Sequence, residues 1–474
     1  MVRTSIRLFA DYQGCLITGS SLAENDMGDW LIRNARLVNE GRSMEADLRV
    51  RGERIEAIGR HLPGRPNDRV VDANGAWLLP GLIDDQVHFR EPGLEHKATI
   101  ASESRAAVAG GITSFMEMPN TRPPATTLEA VADKYARAAR CSLANYAFYL
   151  GATNDNIEVI RRFTPRDGCG IKVFMGASTG NMLVDDPATL DSIFREARTL
   201  IITHCEDTPT VDENFAIEKA RFGDALDATR HPYIRSAEAC VKSTRLAMEL
   251  ARRHDARLHV LHVSTADELD LLEHDTPLAH KRITAETCVH FLHFDAEDYP
   301  RLGNLIKCNP AVKFARDRTA LLAALASGTL DVLATDHAPH TREEKAEPYL
   351  KAPAGLPLVQ HCLQVALERV LDGELSIETL VERACHAPAV LFGIAERGYL
   401  REGAYADLVV VDPRRPQRIE PNQLLSKCGW SPFDGETLRS TVVSTWVNGH
   451  LAWHEGTLDD SVLGQRLVIG RGRS

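Results

Sequence analysis

The sequence predicts an α/β protein in which a (β/α)8 TIM-type barrel is joined to a small β-sandwich-like domain built from both chain ends. Three observations predict this fold. The 474 residues are enough for a barrel and an accessory domain, eight short apolar runs alternate with helix-like stretches through the middle, and both ends alternate apolar with polar residues. An open doubly wound sheet is the alternative, but the sequence contains no glycine-rich phosphate-binding motif to support it.

Residues 1–27 precede the first recognisable pattern. They open with a weakly basic and apolar stretch, but Asp11 and Gln13 interrupt it too early for a secretory signal peptide. Strand-like sequence begins directly after Met27. We therefore expect residues 1–27 to be a disordered or non-native N-terminal extension.

Short alternating runs broken by glycine fill residues 30–60, a pattern typical of an antiparallel sheet. A matching set returns at residues 406–453, where an Asn-Gly pair is a hairpin-turn signal. Two half-sheets at opposite ends of the chain predict one composite β domain, formed by residues 28–79 and 395–460.

Residues 80–394 contain the units expected of the barrel. Helix-like stretches, such as residues 101–111, 126–140 and 236–254, separate the strand-like runs. The runs are GLIDDQVH, SFMEMP, NYAFYLGA, GIKVFMG, LIITHCE, RLHVLHVS, ITAETC and VLATDHAP. Because the active site of such a barrel lies at the carboxyl ends of its strands, the residues that end these runs are the candidates for function.

The composition narrows the class of protein. The formal net charge is −11, and no basic run is concentrated enough for a nucleic-acid or anionic-membrane surface. No run approaches the roughly 20 apolar residues of a membrane helix. The cysteines are scattered singly without a CxxC pair, as expected of reduced thiols. We therefore expect a cytoplasmic enzyme that acts on a small molecule, and an anionic substrate would need a local cationic pocket.

Metal-binding or acid-base side chains occur near the ends of five of the eight runs. A single histidine at a strand end is more often a structural residue. The same kind of group on five strands, at the edge where active sites lie, is hard to explain as core filling. The residues are Gln86, His88, Lys172, His204, His262 and Asp336.

Metal-assisted hydrolysis is the chemistry that suits these residues. Neutral imidazoles and a carboxylate bind Zn²⁺ or a similar ion, which lowers the pKa of bound water to about 7 and polarises a carbonyl. Two ions roughly 3.5 to 4 Å apart need a bridging ligand. Lys172 carboxylated by CO2 would supply an anionic bridge, whereas its ammonium form would repel both ions. We therefore expect one or two Zn²⁺ per subunit and a carboxylated Lys172.

Seven motifs, taken together and in order, resemble those of a bacterial dihydroorotase of the amidohydrolase superfamily. They are HFREPGLEHK, MEMPNTRPP, IKVFMGASTG, HCED, LHVST, KCNPAVK and TDHAPHTREEK. The resemblance runs from about residue 30 to about residue 450. It implies a hydrolase acting on carbon–nitrogen bonds in cyclic amides, which interconverts N-carbamoyl-L-aspartate and L-dihydroorotate in pyrimidine biosynthesis.

The resemblance also implies roles for individual residues. Asp336 is similar to the general acid-base residue, which takes a proton from the attacking water and returns it to the ring nitrogen. Arg90 is similar to the residue whose guanidinium binds the substrate carboxylate through both oxygens. The metal ligands by position are His88, carboxylated Lys172, His204, His262 and Asp336, and the positions that complete substrate binding are Asn120, Asn309 and His340.

Gln86 departs from the family pattern, because most relatives have His-x-His where this chain has Gln86 and His88. An amide oxygen can coordinate a divalent ion, but it is a poorer zinc ligand than imidazole. Three outcomes stay open: two metals with one loosely held, a single metal, or an inactive scaffold subunit that supports an aspartate transcarbamoylase partner. The expected assembly is a homo-oligomer, a dimer in the simplest case.

Allantoinase and dihydropyrimidinase are the nearest alternatives among active enzymes. They would share the barrel, the metals and the hydrolysis of a cyclic amide. Their neutral rings carry no carboxylate to meet Arg90 and His340, so the dihydroorotase interpretation depends on that cationic pair and on the FREPG and MPNT motifs.

Overall fold

The structure is a computed structural model that describes residues 17–18, 29–176 and 182–470. The strands are β1 (Ile17–Thr18), β2 (Trp30–Asn39), β3 (Arg42–Arg51), β4 (Arg54–Gly59), β5 (Arg69–Asp72), β6 (Trp77–Pro80), β7 (Leu82–Val87), β8 (Ile112–Glu117), β9 (Asn145–Gly151), β10 (Gly170–Phe174), β11 (Ile201–His204), β12 (Leu258–Val260), β13 (Ile283–Cys288), β14 (Val332–Ala334), β15 (Leu408–Asp412), β16 (Gln417–Arg418), β17 (Thr437–Leu438), β18 (Thr441–Val447), β19 (His450–His454) and β20 (Thr457–Leu458). The α-helices are α1 (Ile100–Ala109), α2 (Leu128–Ala138), α3 (Ile157–Arg162), α4 (Pro187–Glu196), α5 (Thr208–Phe222), α6 (His231–Ile234), α7 (Ala237–His254), α8 (Ala266–Leu269), α9 (Tyr299–Leu302), α10 (Ala315–Ser327), α11 (Arg342–Ala346), α12 (Cys362–Leu371), α13 (Ile377–Val381) and α14 (Ala387–Phe392). The expectation for residues 1–27 falls outside the described residues, apart from 17–18.

Strands β7 to β14 form one eight-stranded parallel sheet in chain order. The sheet closes on itself just beyond its first and last strands, where the main-chain N–H of His88 donates to the carbonyl of His337 at 2.7 Å. Val87 and His337 also pair in parallel at this point. The predicted (β/α)8 barrel is therefore confirmed, and each of the eight predicted runs overlaps one of its strands.

The three helices named from the sequence are present as α1, α2 and α7. Each begins after a hydroxyl side chain that accepts from a main-chain N–H of the first turn: Thr99, Thr127 and Ser236. Such N-caps satisfy donors that would otherwise lack a partner at the start of a helix. Among the helices of the described ranges, none is long and apolar enough to cross a membrane.

Strands from the two chain ends form a separate ten-stranded sheet, with β6 from the first part lying beside β15 from the last. The expected β domain from both ends is therefore present. Its predicted hairpin turn is Asn448-Gly449, which joins β18 to β19 with φ of 51° and 78°. Gly449 is required there, because a Cβ atom would lie 2.0 Å from the carbonyl oxygen of Gly52. The domain limits at 28–79, 80–394 and 395–460 stay predictions.

Apolar side chains form more than one core. One lies between the barrel strands, the surrounding helices and part of the terminal sheet, where the rings of Phe115 and Phe148 meet edge to face with their centroids 6.4 Å apart. Another lies within the terminal sheet, where Trp30 and Trp446 make a similar contact at 6.0 Å. Such aromatic pairs add to the free energy gained by burial.

A buried polar network joins the barrel to the terminal sheet at the amino ends of the barrel strands. Arg397 forms an ion pair with Asp407 and donates to Oδ1 of Asn448 at 2.6 Å. The amide of Asn448 donates to Oδ1 of Asn145, the first residue of β9, at 2.9 Å. Arg397 and Asp407 are 4% and 3% exposed, so each charge depends on the other for its stability.

Replacing Arg397 by Met is expected to lower the free energy of unfolding by about 3 to 5 kcal/mol, because Asp407 would stay buried without its cation. Urea denaturation followed by circular dichroism measures the change. Arg51→Met is the matched control, since Arg51 is exposed and pairs with Glu56 only at the surface. We expect the control to change stability by about 1 kcal/mol or less; equal losses in the two variants would contradict a role for the network.

Candidate active site

A cavity of about 490 Å³ opens at the carboxyl ends of the barrel strands. All of the residues that the sequence nominates for the site line it, although they are widely separated in the chain. They are Gln86, His88, Arg90, Asn120, Lys172, His204, His262, Asn309, Asp336 and His340. The structure therefore brings the nominated residues together, while the role of each stays a prediction.

The two ring nitrogens of His88 have different surroundings. Nδ1 lies 2.7 Å from Oδ1 of Asn120, an amide oxygen that can only accept, so Nδ1 carries the proton. Nε2 therefore presents a lone pair, and it lies 3.2 Å from Oδ1 of Asp336. Burial lowers the pKa of His88, which favours this neutral form. A lone pair and a carboxylate oxygen this close are stabilised by a cation placed between them.

His204 and His262 form a second pair on neighbouring strands. Nε2 of His204 donates to a carboxylate oxygen of Glu206 at 2.9 Å, so its Nδ1 presents a lone pair 3.0 Å from Nε2 of His262. Burial lowers the pKa of both imidazoles. Burial works to raise the pKa of Glu206, but Arg235 and His204 lower it to about 2. Glu206 is therefore ionised and fixes the tautomer of His204.

Lys172 is buried within the same group of residues. It lines the cavity together with His88, His204 and His262, and after burial its charge is one of the causes that lower the pKa of all three imidazoles. Burial lowers the pKa of Lys172 itself to about 8. A neutral amine is therefore more accessible than for a lysine in water, and the neutral amine is the form that reacts with CO2.

The donors on this side of the cavity suit a divalent metal. Neutral imidazoles present lone pairs to a common space with the carboxylate of Asp336. Imidazole and carboxylate are the ligand types that zinc and similar ions prefer. Glu206 and Asn120 hold the far nitrogens of His204 and His88, as outer hydrogen-bond partners do in metal sites.

Gln86 presents its amide nitrogen, not its oxygen, to the carboxylate in the cavity. Nε2 of Gln86 donates to Oδ1 of Asp336 at 3.1 Å. The thiol of Cys288 lies 3.8 Å from Oε1 of Gln86 and donates to it. In this arrangement Gln86, the residue that departs from the His-x-His pattern, orients the carboxylate of Asp336.

Three of the nominated residues have a left-handed backbone. The φ values are 71° for Arg90, 40° for His262 and 50° for Asp336. Residues with a Cβ atom rarely adopt this conformation, and each instance costs of order 1 to 3 kcal/mol. The packed barrel holds these residues there, which is typical of positions where function constrains the chain.

Cationic side chains form one wall of the cavity. The guanidinium of Arg90 lies 3.1 Å from Nε2 of His340, and Nζ of Lys97 donates to Nδ1 of His340 at 2.9 Å. Burial and the neighbouring Arg90 lower the pKa of His340 to about 3, so His340 is neutral. Arg122 lines the exposed edge of the wall. Glu344, which is 3.0 Å from Lys97, leaves the wall with a positive excess.

Buried side chains fix a further part of the cavity rim. His231 lies within 3.1 Å of Oδ1 of Asn309 and, as a donor, fixes this amide. Nζ of Lys345 donates to the carbonyls of Pro353 and Gly355 at 2.9 and 3.0 Å. Both carbonyls belong to residues of the cavity wall, so Lys345 sets the shape of the rim without entering it.

Sequence reasoning missed Lys97, Arg122, Glu206 and Lys345. Glu206 was detectable, because it stands two residues after His204 in the HCED motif and this spacing places both side chains on one face of an extended chain. The other residues lie in loop or helix sequence without a periodic pattern. Their positions depend on contacts between distant segments.

Comparison with known proteins defines the class. The family model described as the amidohydrolase family matches residues 77–452, and the chain belongs to this family. Its curated relatives include a dihydroorotase of Halobacterium salinarum, 37% identical over 87% of this chain and 94% of the relative. A dihydroorotase of Bacillus pumilus is 34% identical over 90% of this chain and 99% of the relative. The resemblance to dihydroorotases is therefore confirmed.

Solved structures confirm the fold. An L-hydantoinase (dihydropyrimidinase) from Arthrobacter aurescens has a TM-score of 0.87 and 30% identity, covering 93% of this chain and 100% of that one. A dihydropyrimidinase from Brevibacillus agri has a TM-score of 0.81 and 25% identity, covering 91% and 96%. Curated relatives and structural neighbours thus carry two different activity names, and the residues of the cavity must decide between them.

Replacing Glu206 by Gln is expected to weaken metal binding about 10- to 100-fold, because His204 would lose the ionised partner that fixes its tautomer and raises its basicity. Competition with a chromogenic chelator measures the affinity. Glu218→Gln is the control, since Glu218 also pairs with an arginine, Arg230, but lies outside the cavity. If both variants bind metal as tightly as the unaltered protein, the hydrogen bond from His204 to Glu206 does not contribute to metal binding.

Proposed function

We propose that this protein is a dihydroorotase, a metal-dependent cyclic amide hydrolase that interconverts N-carbamoyl-L-aspartate and L-dihydroorotate in pyrimidine biosynthesis. The observation that carries the proposal is the cationic wall of Arg90, Lys97 and Arg122 facing the same cavity as the metal-type ligands. A guanidinium matches the two oxygens of a carboxylate, and dihydroorotate has a carboxylate beside its cyclic amide.

His88, Lys172, His204, His262 and Asp336 would hold one or two Zn²⁺, with Lys172 carboxylated by CO2. When bound, the metal supplies Lewis acidity, which lowers the pKa of water towards about 7 and polarises the amide carbonyl. The lone pairs of the buried imidazoles support this assignment. The pKa of about 8 for Lys172 supports the modification, because the amine must be neutral to react.

Asp336 is proposed as the general acid-base residue. Its Oδ1 accepts from Nε2 of Gln86 at 3.1 Å and lies in the cavity that contains the other nominated groups. This contact leaves the second carboxylate oxygen to take a proton from the attacking water and return it to the leaving ring nitrogen. We propose that Gln86 positions Asp336, in place of the metal-ligand role that an amide oxygen could serve.

Arg90 and His340 are proposed to bind the substrate carboxylate, and Asn120 and Asn309 to complete the contacts. Arg90 is fixed by a hydrogen bond from Nε to the carbonyl of Pro339 at 3.0 Å, which aims the rest of its guanidinium along the wall. Lys97 adds a positive charge beside these two residues, since its Nζ donates to the imidazole of His340.

A dihydropyrimidinase-type hydrolase is the second candidate, because the L-hydantoinase structure is 30% identical to this chain over nearly its whole length. A neutral ring would leave the charges of Arg90, Lys97 and Arg122 without a partner on the substrate, which favours the first candidate.

We also propose a cytoplasmic location and a homo-oligomer, in the simplest case a dimer. An inactive scaffold for an aspartate transcarbamoylase stays the structural alternative.

The test is an assay of the purified protein, supplied with zinc and bicarbonate, on L-dihydroorotate, 5,6-dihydrouracil and allantoin. We expect turnover of dihydroorotate with kcat/KM at least about 100-fold above that for the neutral rings, which is the discrimination expected when a buried charge pair is lost. A preference for dihydrouracil or allantoin would identify the second candidate. No turnover of any ring, by a protein that purifies without metal, would identify a scaffold.

Arg90→Met separates substrate binding from metal binding. We expect the KM for dihydroorotate to rise about 30- to 1000-fold, corresponding to about 2 to 4 kcal/mol for a lost buried charge pair, while the metal content stays unchanged. Steady-state kinetics and elemental analysis measure the two quantities. Arg137→Met, which removes an arginine outside the cavity, should leave both unchanged. Loss of metal in Arg90→Met would mean that Arg90 supports the metal ligands.

A further inference from the structure

A second group of metal-type side chains lies inside the barrel, outside the catalytic cavity. Asp85 of β7, His259 of β12 and Glu286 of β13 offer ligand atoms that all lie within 4.8 Å of one another. All three residues are 0% exposed, and none of them lines the cavity. Because β7 does not neighbour β12 or β13 in the sheet, these side chains meet only through the interior of the barrel. We call them the interior cluster.

An irregularity in β7 brings Asp85 into this interior. Asp84 lies opposite Phe115 of β8, and Val87 lies opposite Glu117, so three steps on β7 match two on β8. Such a bulge breaks the alternation of faces and re-aims the side chains within it. It allows Gln86 to reach the catalytic cavity while the adjacent Asp85 reaches the interior cluster.

The imidazole of His259 presents a lone pair to both carboxylates. The hydroxyl of Thr284 lies 2.8 Å from Nδ1 of His259 and 3.2 Å from the carbonyl of Leu258. In the tautomer suited to metal binding, Nδ1 donates to this hydroxyl, which passes its own proton to the carbonyl. Nε2 is unprotonated in that tautomer, and it lies 3.1 Å from Glu286 and 3.5 Å from Asp85. A ring whose far N–H is held by a fixed acceptor is typical of a metal-ligating histidine.

Asp85 lacks the donors that a buried carboxylate requires. Neither of its carboxylate oxygens has a hydrogen-bond partner among the described residues. An isolated buried carboxylate costs many kcal/mol unless it is neutralised or coordinates a metal. A proton on Nε2 of His259 would lie nearer to Glu286, at 3.1 Å, than to Asp85, at 3.5 Å, so the two buried carboxylates would have only this one donor between them.

We propose that Asp85, His259 and Glu286 bind one divalent metal ion of the zinc type, separate from any ion in the catalytic cavity. Two carboxylates balance its double charge, and imidazole and carboxylate are both ligand types that bind such ions. Because the cluster is closed to solvent, the ion has no position open to a substrate, and its role is structural. It ties the first strand of the barrel to the sixth and seventh.

Metal content of purified variants tests the proposal without reference to activity. Elemental mass spectrometry on Asp85→Asn and Glu286→Gln is expected to show one equivalent of divalent metal fewer per chain than the unaltered protein. Asp84→Asn is the matched control, since Asp84 is the adjacent buried carboxylate and its oxygens accept from Thr335. The control should keep that equivalent. Unchanged metal content in both test variants would overturn the proposal.

Anomalous diffraction from crystals of the unaltered protein, recorded on both sides of the zinc absorption edge, gives a second test that does not depend on a variant folding. A peak between Asp85, His259 and Glu286, distinct from any peak beside His204 and His262, supports the proposal. If crystals grown with zinc show no peak at the interior cluster, the proposal is overturned. The close approach of the two carboxylates would then be explained by a proton that they share. A peak in the catalytic cavity alone would leave the proposed function standing.

Discussion

Closure of the barrel between its first and last strands is the constraint on which the site depends. The main-chain hydrogen bond from His88 to His337 fixes the register of the two strand ends. That register brings Asp336 within 3.1 Å of Gln86 and 3.2 Å of His88. The carboxylate, the amide and the imidazole come from opposite ends of the barrel sequence. A slip by one residue would turn each of these side chains to the other face of its strand.

Burial then sets the chemistry of the groups that closure brings together. It keeps the imidazoles of His88, His204 and His262 neutral and lowers the pKa of Lys172 to about 8. Charges persist where a partner compensates for lost hydration, as Arg235 does for Glu206. The cavity therefore combines neutral imidazoles and the carboxylate of Asp336, which are metal-type donors, with the cations of Arg90 and Lys97. This combination suits a substrate that carries a carboxylate beside an amide.

Gln86 has a clearer physical role in the structure than in the sequence alone. An amide offers both a donor and an acceptor, and here the donor meets Asp336 while the acceptor meets the thiol of Cys288. A histidine at this position could act as a ligand, whereas the glutamine orients a carboxylate. The bulge that carries Gln86 into the cavity also carries Asp85 into the barrel interior. The unusual DDQVH segment thus shapes two separate groups of polar side chains.

The sequence by itself determined the barrel, the sheet built from both chain ends and the polar strand-end residues of the cavity, which are Gln86, His88, Lys172, His204, His262 and Asp336. It could do so because strand periodicity, turn residues such as Asn448-Gly449 and the polar ends of strands are local patterns. The places of Lys97 and Arg122 in the cationic wall, the orientation of Gln86, and the meeting of Asp85 with His259 and Glu286 were decided only by the tertiary structure. They depend on a bulge and on distances across a closed barrel, which no local pattern encodes.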